Sequence, residues 1–172
     1  MSLGLKRETV HLESHDNQWQ EVAVQTIRKL KAILGEDAID IQHIVSTAIP
    51  AIKAKPIIDI AVGVDNFNRV LLHNEQLQQE GIVYRGSDVE HQLLYVMGDM
   101  KNDTRTHHIH VVKWNGTEWK NYICFRDYLN SNENAALQYQ QLKEELERKY
   151  ADDRIAYTSG KQDMIDIILN RK

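Results

Sequence analysis

The chain has 172 residues, with 21 lysines and arginines against 25 aspartates and glutamates, for a formal charge of −4. A chain of this length suits one domain, residues 1–172, and buries about 70% of its unfolded surface, so neither a disulfide framework nor a metal staple is needed for folding. At 42% hydrophobic and 27% charged it is globular rather than disordered, and its mild acidity argues against a general nucleic-acid or membrane coat.

Trp19, Val22, Ala23, Ile27, Leu30 and Leu34 recur at helical spacing, with Asp16 or Asn17 as the cap and Gly35 as the stop. Ile39 to Ile44 reads as a short strand. Ile57 to Val64 is β-branched and nearly all apolar, which predicts a strand covered on both faces. Asp65 is the expected cap of a helix through Val70, Leu71 and Leu77 that ends near Gly81. Ile82 to Arg85, Gln92 to Met97 and Thr106 to Trp114 read as strands, with a turn at Lys101-Asn102-Asp103. From Gly116 the pattern is helical. Ala135, Tyr139, Leu142, Leu146 and Tyr150 form one stripe, and Met164, Ile165, Ile168 and Leu169 a last short helix. The expected class is α+β (mixed α/β): a mixed sheet flanked by helices, with a helical C-terminal third. The lone Cys124 fits a reducing cytoplasm, and no apolar stretch approaches the ~20 residues of a membrane span.

Three constellations could carry chemistry. Ser46 and Thr47 follow a strand, where hydroxyls and backbone N–H groups opening a helical turn favour phosphate. Asp59 lies inside an otherwise apolar strand. A buried carboxylate there is costly unless it is paired or bound to a cation, and Lys55 stands four residues earlier. A strand-end aspartate capping a loop is the plain alternative. His108 and His110 share one strand face and His107 takes the other. Such a pair can chelate a metal, grip a phosphate, or form ordinary structural hydrogen bonds. In the third group, Arg126 and Asp127 suggest a salt bridge, while Tyr157 and Lys161 stand one helical turn apart and can face one pocket. The charges from Gln140 to Lys149 read as a solvated helix face, with Lys143 as a possible exception.

Several ordered motifs together resemble the GrpB family, small bacterial proteins also found fused to dephospho-CoA kinase. They are Trp19, His43-Ile44-Val45-Ser46-Thr47-Ala48-Ile49-Pro50, Ala54-Lys55-Pro56-Ile57-Ile58-Asp59-Ile60, His107-His108-Ile109-His110-Val111-Val112, Phe125-Arg126-Asp127-Tyr128-Leu129, Tyr139 with Leu142-Lys143, and Tyr157-Thr158 with Lys161. That family looks like a branch of the nucleotidyltransferase-fold superfamily. The resemblance implies a nucleotide or phosphorylated small molecule as ligand, and a divalent metal, magnesium or manganese, assisting phosphoryl or nucleotidyl transfer.

Carried over by residue, Ser46 falls on the phosphate-contacting serine and Asp59 on the first metal acid. Val45 stands where the superfamily has glycine, and Ala61 where a second acid would share the face of Asp59. On this reading Asp59, His108 and His110 are the catalytic candidates, and Asp59 with His108 would hold the metal. Ser46, Thr47, Lys55, Arg126, Lys143, Tyr157 and Lys161 are the phosphate and ligand candidates. Two rivals are a non-catalytic binding or interaction protein that lost the acids, and a phosphoesterase built on His108 and His110.

Overall fold

A computed structural model describes residues 2–87 and 91–171. The first helix, α1 (Gln18–Leu34), buries Trp19, Ala23, Thr26, Leu30 and Leu34, the spacing of an amphipathic helix. The Asp16 carboxylate accepts from the Gln18 N–H at 2.9 Å, so the residue before the cap position holds the start. Gly35 ends the helix at a φ of 53°, where the missing Cβ avoids a clash.

The strands are β1 (Leu5–Lys6), β2 (Asp40–Ile44), β3 (Ile58–Val64), β4 (Val83–Tyr84), β5 (Gln92–Met97), β6 (Thr104–Arg105) and β7 (His107–Lys113). Five of them form one mixed sheet in the order β2-β3-β7-β5-β4, while β1 and β6 pair in a separate ribbon. β3 and β7 run parallel, with Asp59 opposite His108 and Ala61 opposite His110; the other pairs in the sheet are antiparallel.

Period-two alternation decides what each face does. Ile58, Ile60, Val62 and Val64 of β3 join Ile109 and Val111 of β7, and Trp19, Ala23 and Leu30 of α1, in the largest core cluster. The opposite face carries Asp59 and Ala61 beside His108, His110 and Val112. His107 lies on the core face, where it hydrogen bonds with Thr26 at 3.1 Å. Burial pushes its pKa down to about 4, so it stays neutral and serves packing.

The remaining helices are α2 (Phe67–Leu71), α3 (Asn74–Gln79), α4 (Thr117–Ser131), α5 (Glu133–Lys149), α6 (Arg154–Gly160) and α7 (Gln162–Leu169). α4, α5 and α7 share a second cluster around Phe125, Leu129, Ala136, Tyr139 and Ile168. Tyr157 of α6 packs with Leu146 of α5 and with Val10 and Leu12 of the N-terminal segment. No helix among the described residues is long and apolar enough to cross a membrane.

Three details differ from the expectation. The helix over 65–81 is divided at Leu72 and His73, and Asn66 rather than Asp65 caps it by accepting from the Asn68 N–H at 2.9 Å. Asp65 is instead paired with Lys113. α6 is a separate helix that the apolar pattern did not single out, capped by Asp153 accepting from the Ala156 N–H at 3.0 Å.

Candidate functional site

Asp59 stands on the helix-covered face of β3, and the parallel register sets both histidines beside it. His110 Nε2 lies 3.1 Å and His108 Nδ1 3.5 Å from Asp59 Oδ1. A chain of donors fixes the His110 ring. The Tyr122 hydroxyl donates to Gln92 Oε1 at 3.0 Å, which turns the Gln92 amide N–H toward His110 Nδ1 at 2.9 Å. Nδ1 therefore accepts, and Nε2–H is the donor to Asp59. Burial opposes ionisation of Asp59, yet the hydrogen bonds from His108 and His110 hold its carboxyl well below the usual carboxylate range. Burial lowers the pKa of His108 against the pull of Asp59. With Nδ1–H directed at the carboxylate, His108 Nε2 is the lone-pair nitrogen.

A cavity of about 190 Å³ opens beside Asp59 and His108. Into it converge Lys55 from the loop before β3, Lys143 from α5, and Arg154 and Lys161 from α6 and its C-terminal boundary. Lys143 is 1% exposed. It occupies the apolar stripe of α5, four residues after Tyr139 and three before Leu146, and so is the exception to the solvated face expected around it. Its Nζ donates to the Lys53 carbonyl and, at 3.2 Å, to Ser46 Oγ. The Tyr139 ring lies 5.0 Å beneath it. Tyr157 presents its ring to both Lys161 at 4.7 Å and Lys55 at 5.4 Å, distances at which a ring quadrupole attracts a cation. Burial pushes Lys55 and Lys143 down to about 7 and Lys161 to about 8, helped by their mutual repulsion and by Arg154.

Ser46 and Thr47 lie in a three-residue 3-10 turn, Ser46–Ala48. Both line the cavity. The turn is too short to offer a helix N-terminus, so its contribution is the side chains. Gln20 Oε1 can only accept, so His43 Nδ1 donates to it at 3.1 Å and His43 Nε2 accepts from the Thr47 hydroxyl at 2.9 Å. Burial lowers His43 to about 4, which keeps this chain intact at neutral pH. Val45, which precedes the turn, has φ 60° and ψ −156°. That is a region essentially restricted to glycine, costing about 1–3 kcal/mol for other residues. The valine therefore takes a backbone path that suits glycine, at the expense of strain. Val45→Gly is expected to raise the unfolding free energy by about 1 kcal/mol, the relieved strain being partly offset by glycine's extra unfolded-state entropy and lost side-chain packing. Urea unfolding checks this; a loss of stability contradicts it.

Arg126 is not in the cavity. Its guanidinium is committed to Gln42 Oε1 at 2.9 Å, the His43 carbonyl at 3.0 Å and Asp127 at 2.8 Å. It buttresses β2 from α4, apart from the other residues expected to hold phosphate. Arg154 and Thr158 also line the cavity; the sequence motifs include Thr158 but not Arg154. Their signal was the helical i, i+4, i+7 spacing of Arg154, Thr158 and Lys161. His108, Arg154 and Thr158 also line a broader groove that includes His110, with Leu94 and Val96 of β5 in its floor.

The donor set does not fit the divalent metal implied by the fold family. Ala61 supplies no second carboxylate on the Asp59 face. Asp59 Oδ1 is already hydrogen bonded with His110 and has the His108 ring 3.5 Å away. Among the described residues no three His, Cys, Asp or Glu side chains are grouped to hold an ion, and magnesium requires near-octahedral oxygen ligation.

The sequence profile of the family described as GrpB protein matches residues 9–171. The chain is 39% identical over 171 residues to the glutamate-rich protein GrpB of Alkalihalophilus pseudofirmus, covering 98% of each. It is 31% identical over 157 residues to the UPF0157 protein YqkA of Bacillus subtilis, covering 91% of this chain but 45% of that protein. The crystal structure of the conserved protein GrpB from Enterococcus faecalis superposes with a TM-score of 0.83 at 29% identity, over 92% of this chain and 97% of that one. The Cid1 poly(U) polymerase, solved with MgGTP bound, superposes with a TM-score of 0.55 at 17% identity, over 80% of this chain and 44% of that one. This likeness shows a shared nucleotidyltransferase-like fold.

Proposed function

The chain belongs to the GrpB family, and on that premise we propose that it binds a nucleotide or another phosphorylated small molecule in the lysine-lined cavity. One observation carries the reading: Lys55, Lys143, Lys161 and Arg154 converge beside a single carboxylate. Burying that much like charge is costly without an anion to oppose it. Ammonium and guanidinium groups form the strong, charge-assisted hydrogen bonds that phosphate oxygens accept. The net charge of −4 and the small cavity favour a small ligand over a nucleic-acid strand. One exposed, unpaired Cys124 suits a cytoplasmic setting.

Phosphoryl or nucleotidyl transfer is the reaction we assign to the site. An acceptor hydroxyl in the groove would give its proton to His108 Nε2 as its oxygen bonds to phosphorus and the phosphoanhydride bond breaks. Asp59 would then stabilise the imidazolium. A second reading, binding without turnover, is favoured by Ala61 in place of the second acid. The test is a calorimetric titration with ATP, followed by product analysis across a panel of hydroxyl acceptors with wild type and His108→Gln. Saturable binding is expected in both proteins, with product formed only by wild type. Binding without product from any acceptor would favour the second reading, and no binding of ATP would contradict both.

A further inference from the structure

We propose that this cavity holds oligophosphate without a divalent cation, Lys55, Lys143, Lys161 and Arg154 providing the positive charge that a metal ion would otherwise provide. The inference rests on the phosphate-binding reading above and adds how the charge is neutralised.

Three independent observations lead to it. The first is the surroundings a metal ion would meet. With three lysines and an arginine against the one carboxylate of Asp59 lining a cavity of about 190 Å³, a divalent cation entering it would meet an excess of like charge at short range in a poorly screened site. The same groups attract an anion.

The second is the state of the carboxylate. Asp59 Oδ1 hydrogen bonds with His110 Nε2 at 3.1 Å and has His108 Nδ1 3.5 Å away, so two imidazole edges crowd the approach to that oxygen. The Tyr122–Gln92 chain holds the His110 ring in that donor state. A metal at Oδ1 would have to displace a donor that the surrounding structure fixes. The neighbouring same-face position, Ala61, is fully buried and has no ligand atom to offer.

The third is the preorganisation of Lys143. It has three N–H donors; one is taken by the Lys53 carbonyl and one by Ser46 Oγ at 3.2 Å. The remaining donor is available to a ligand in the cavity that Lys143 lines. An ammonium held by two fixed acceptors and the face of Tyr139 at 5.0 Å has lost most of its rotamer freedom before the ligand arrives, which favours binding. The Tyr157 ring lies within cation–π distance of Lys55, at 5.4 Å, and of Lys161, at 4.7 Å. On this account Asp59 is a counter-charge that keeps the cations together and opposes the incoming anion.

The two arrangements predict opposite signs, which calorimetric titration of inorganic tripolyphosphate reads directly. With EDTA present, wild type is expected to bind at least as tightly as with magnesium or manganese, because metal-complexed tripolyphosphate carries less negative charge. Asp59→Asn keeps the shape and the acceptor oxygen but removes the charge, and is expected to bind several-fold more tightly in EDTA. Binding that requires magnesium or manganese, or that Asp59→Asn abolishes in a protein with wild-type circular dichroism, would overturn the metal-free clamp while leaving phosphate binding intact. The wild-type comparison decides the matter even if the variant fails to fold. Absence of tripolyphosphate binding with and without metal would overturn the clamp and the phosphate reading together.

Discussion

Lys143→Met is expected to weaken tripolyphosphate binding by about tenfold to a hundredfold, since a hydrogen bond to a charged group contributes about 1.5–3 kcal/mol. Lys143→Met with Lys161→Met should weaken it further, by less than the product of the single effects, because both cations contact one anion and share its field. Methionine suits the position. It has the length of the lysine stem, a good helix propensity, and an apolar stripe of Tyr139 and Leu146 to lie in. The substitution removes the donor to the Lys53 carbonyl and to Ser46, and it also removes the need to bury an ammonium. These effects oppose each other, so thermal unfolding should change far less than affinity does. Calorimetry beside a thermal melt separates the two quantities. Unchanged affinity in a folded Lys143→Met protein would remove Lys143 from the site.

Affinity should also fall as pH rises through the range in which the cavity lysines lose their protons. Burial has brought Lys55 and Lys143 to about 7 and Lys161 to about 8. A bound anion favours their charged forms, so binding draws in protons wherever the free protein lacks them. Each such lysine then contributes up to about tenfold loss of affinity per pH unit above its free pKa.

The sign for the unliganded protein is opposite. Unfolded lysines keep their protons up to the ordinary lysine value of 10.5, whereas the folded chain releases these from about 7 upward. The unfolded state therefore holds more protons across that interval, and these groups make stability rise with pH there. Titrating tripolyphosphate in buffers of different ionisation enthalpy measures the proton uptake. Affinity that is constant or rising between about pH 7 and pH 9 would contradict these depressed lysines as ligands.

Much of this site could be read from local pattern. Asp59 interrupts an apolar strand, and alternation puts His108 and His110 on one face of another; that Asp59 shares that face comes from the β3–β7 register. Tyr157 and Lys161 were legible from one helical turn of spacing. Lys143 was flagged only as an exception within a charged segment, although a lysine inside the apolar stripe of α5 was the sharper signal.

What pattern could not supply was long-range pairing. Lys143 reaches Lys53 and Ser46 across 90 and 97 positions, and no periodicity encodes that approach. Arg126 shows the reverse case. Its charge suited a phosphate, but Gln42 and the His43 carbonyl, more than 80 positions away, had the prior claim on its donors. The β1–β6 ribbon pairs two residues with two, too few for alternation to register. The strained φ of Val45 depends on the turn it enters and is invisible to composition, since valine ordinarily argues for extended backbone.

A crystal structure determined with inorganic tripolyphosphate and EDTA tests the central claim most directly. The account predicts the anion in the cavity beside Asp59, with phosphate oxygens in hydrogen-bonding contact with Lys55, Lys143 and Lys161 and with no metal ion between them and Asp59. Tripolyphosphate bound elsewhere, or held to Asp59 through a residual metal ion, would contradict it.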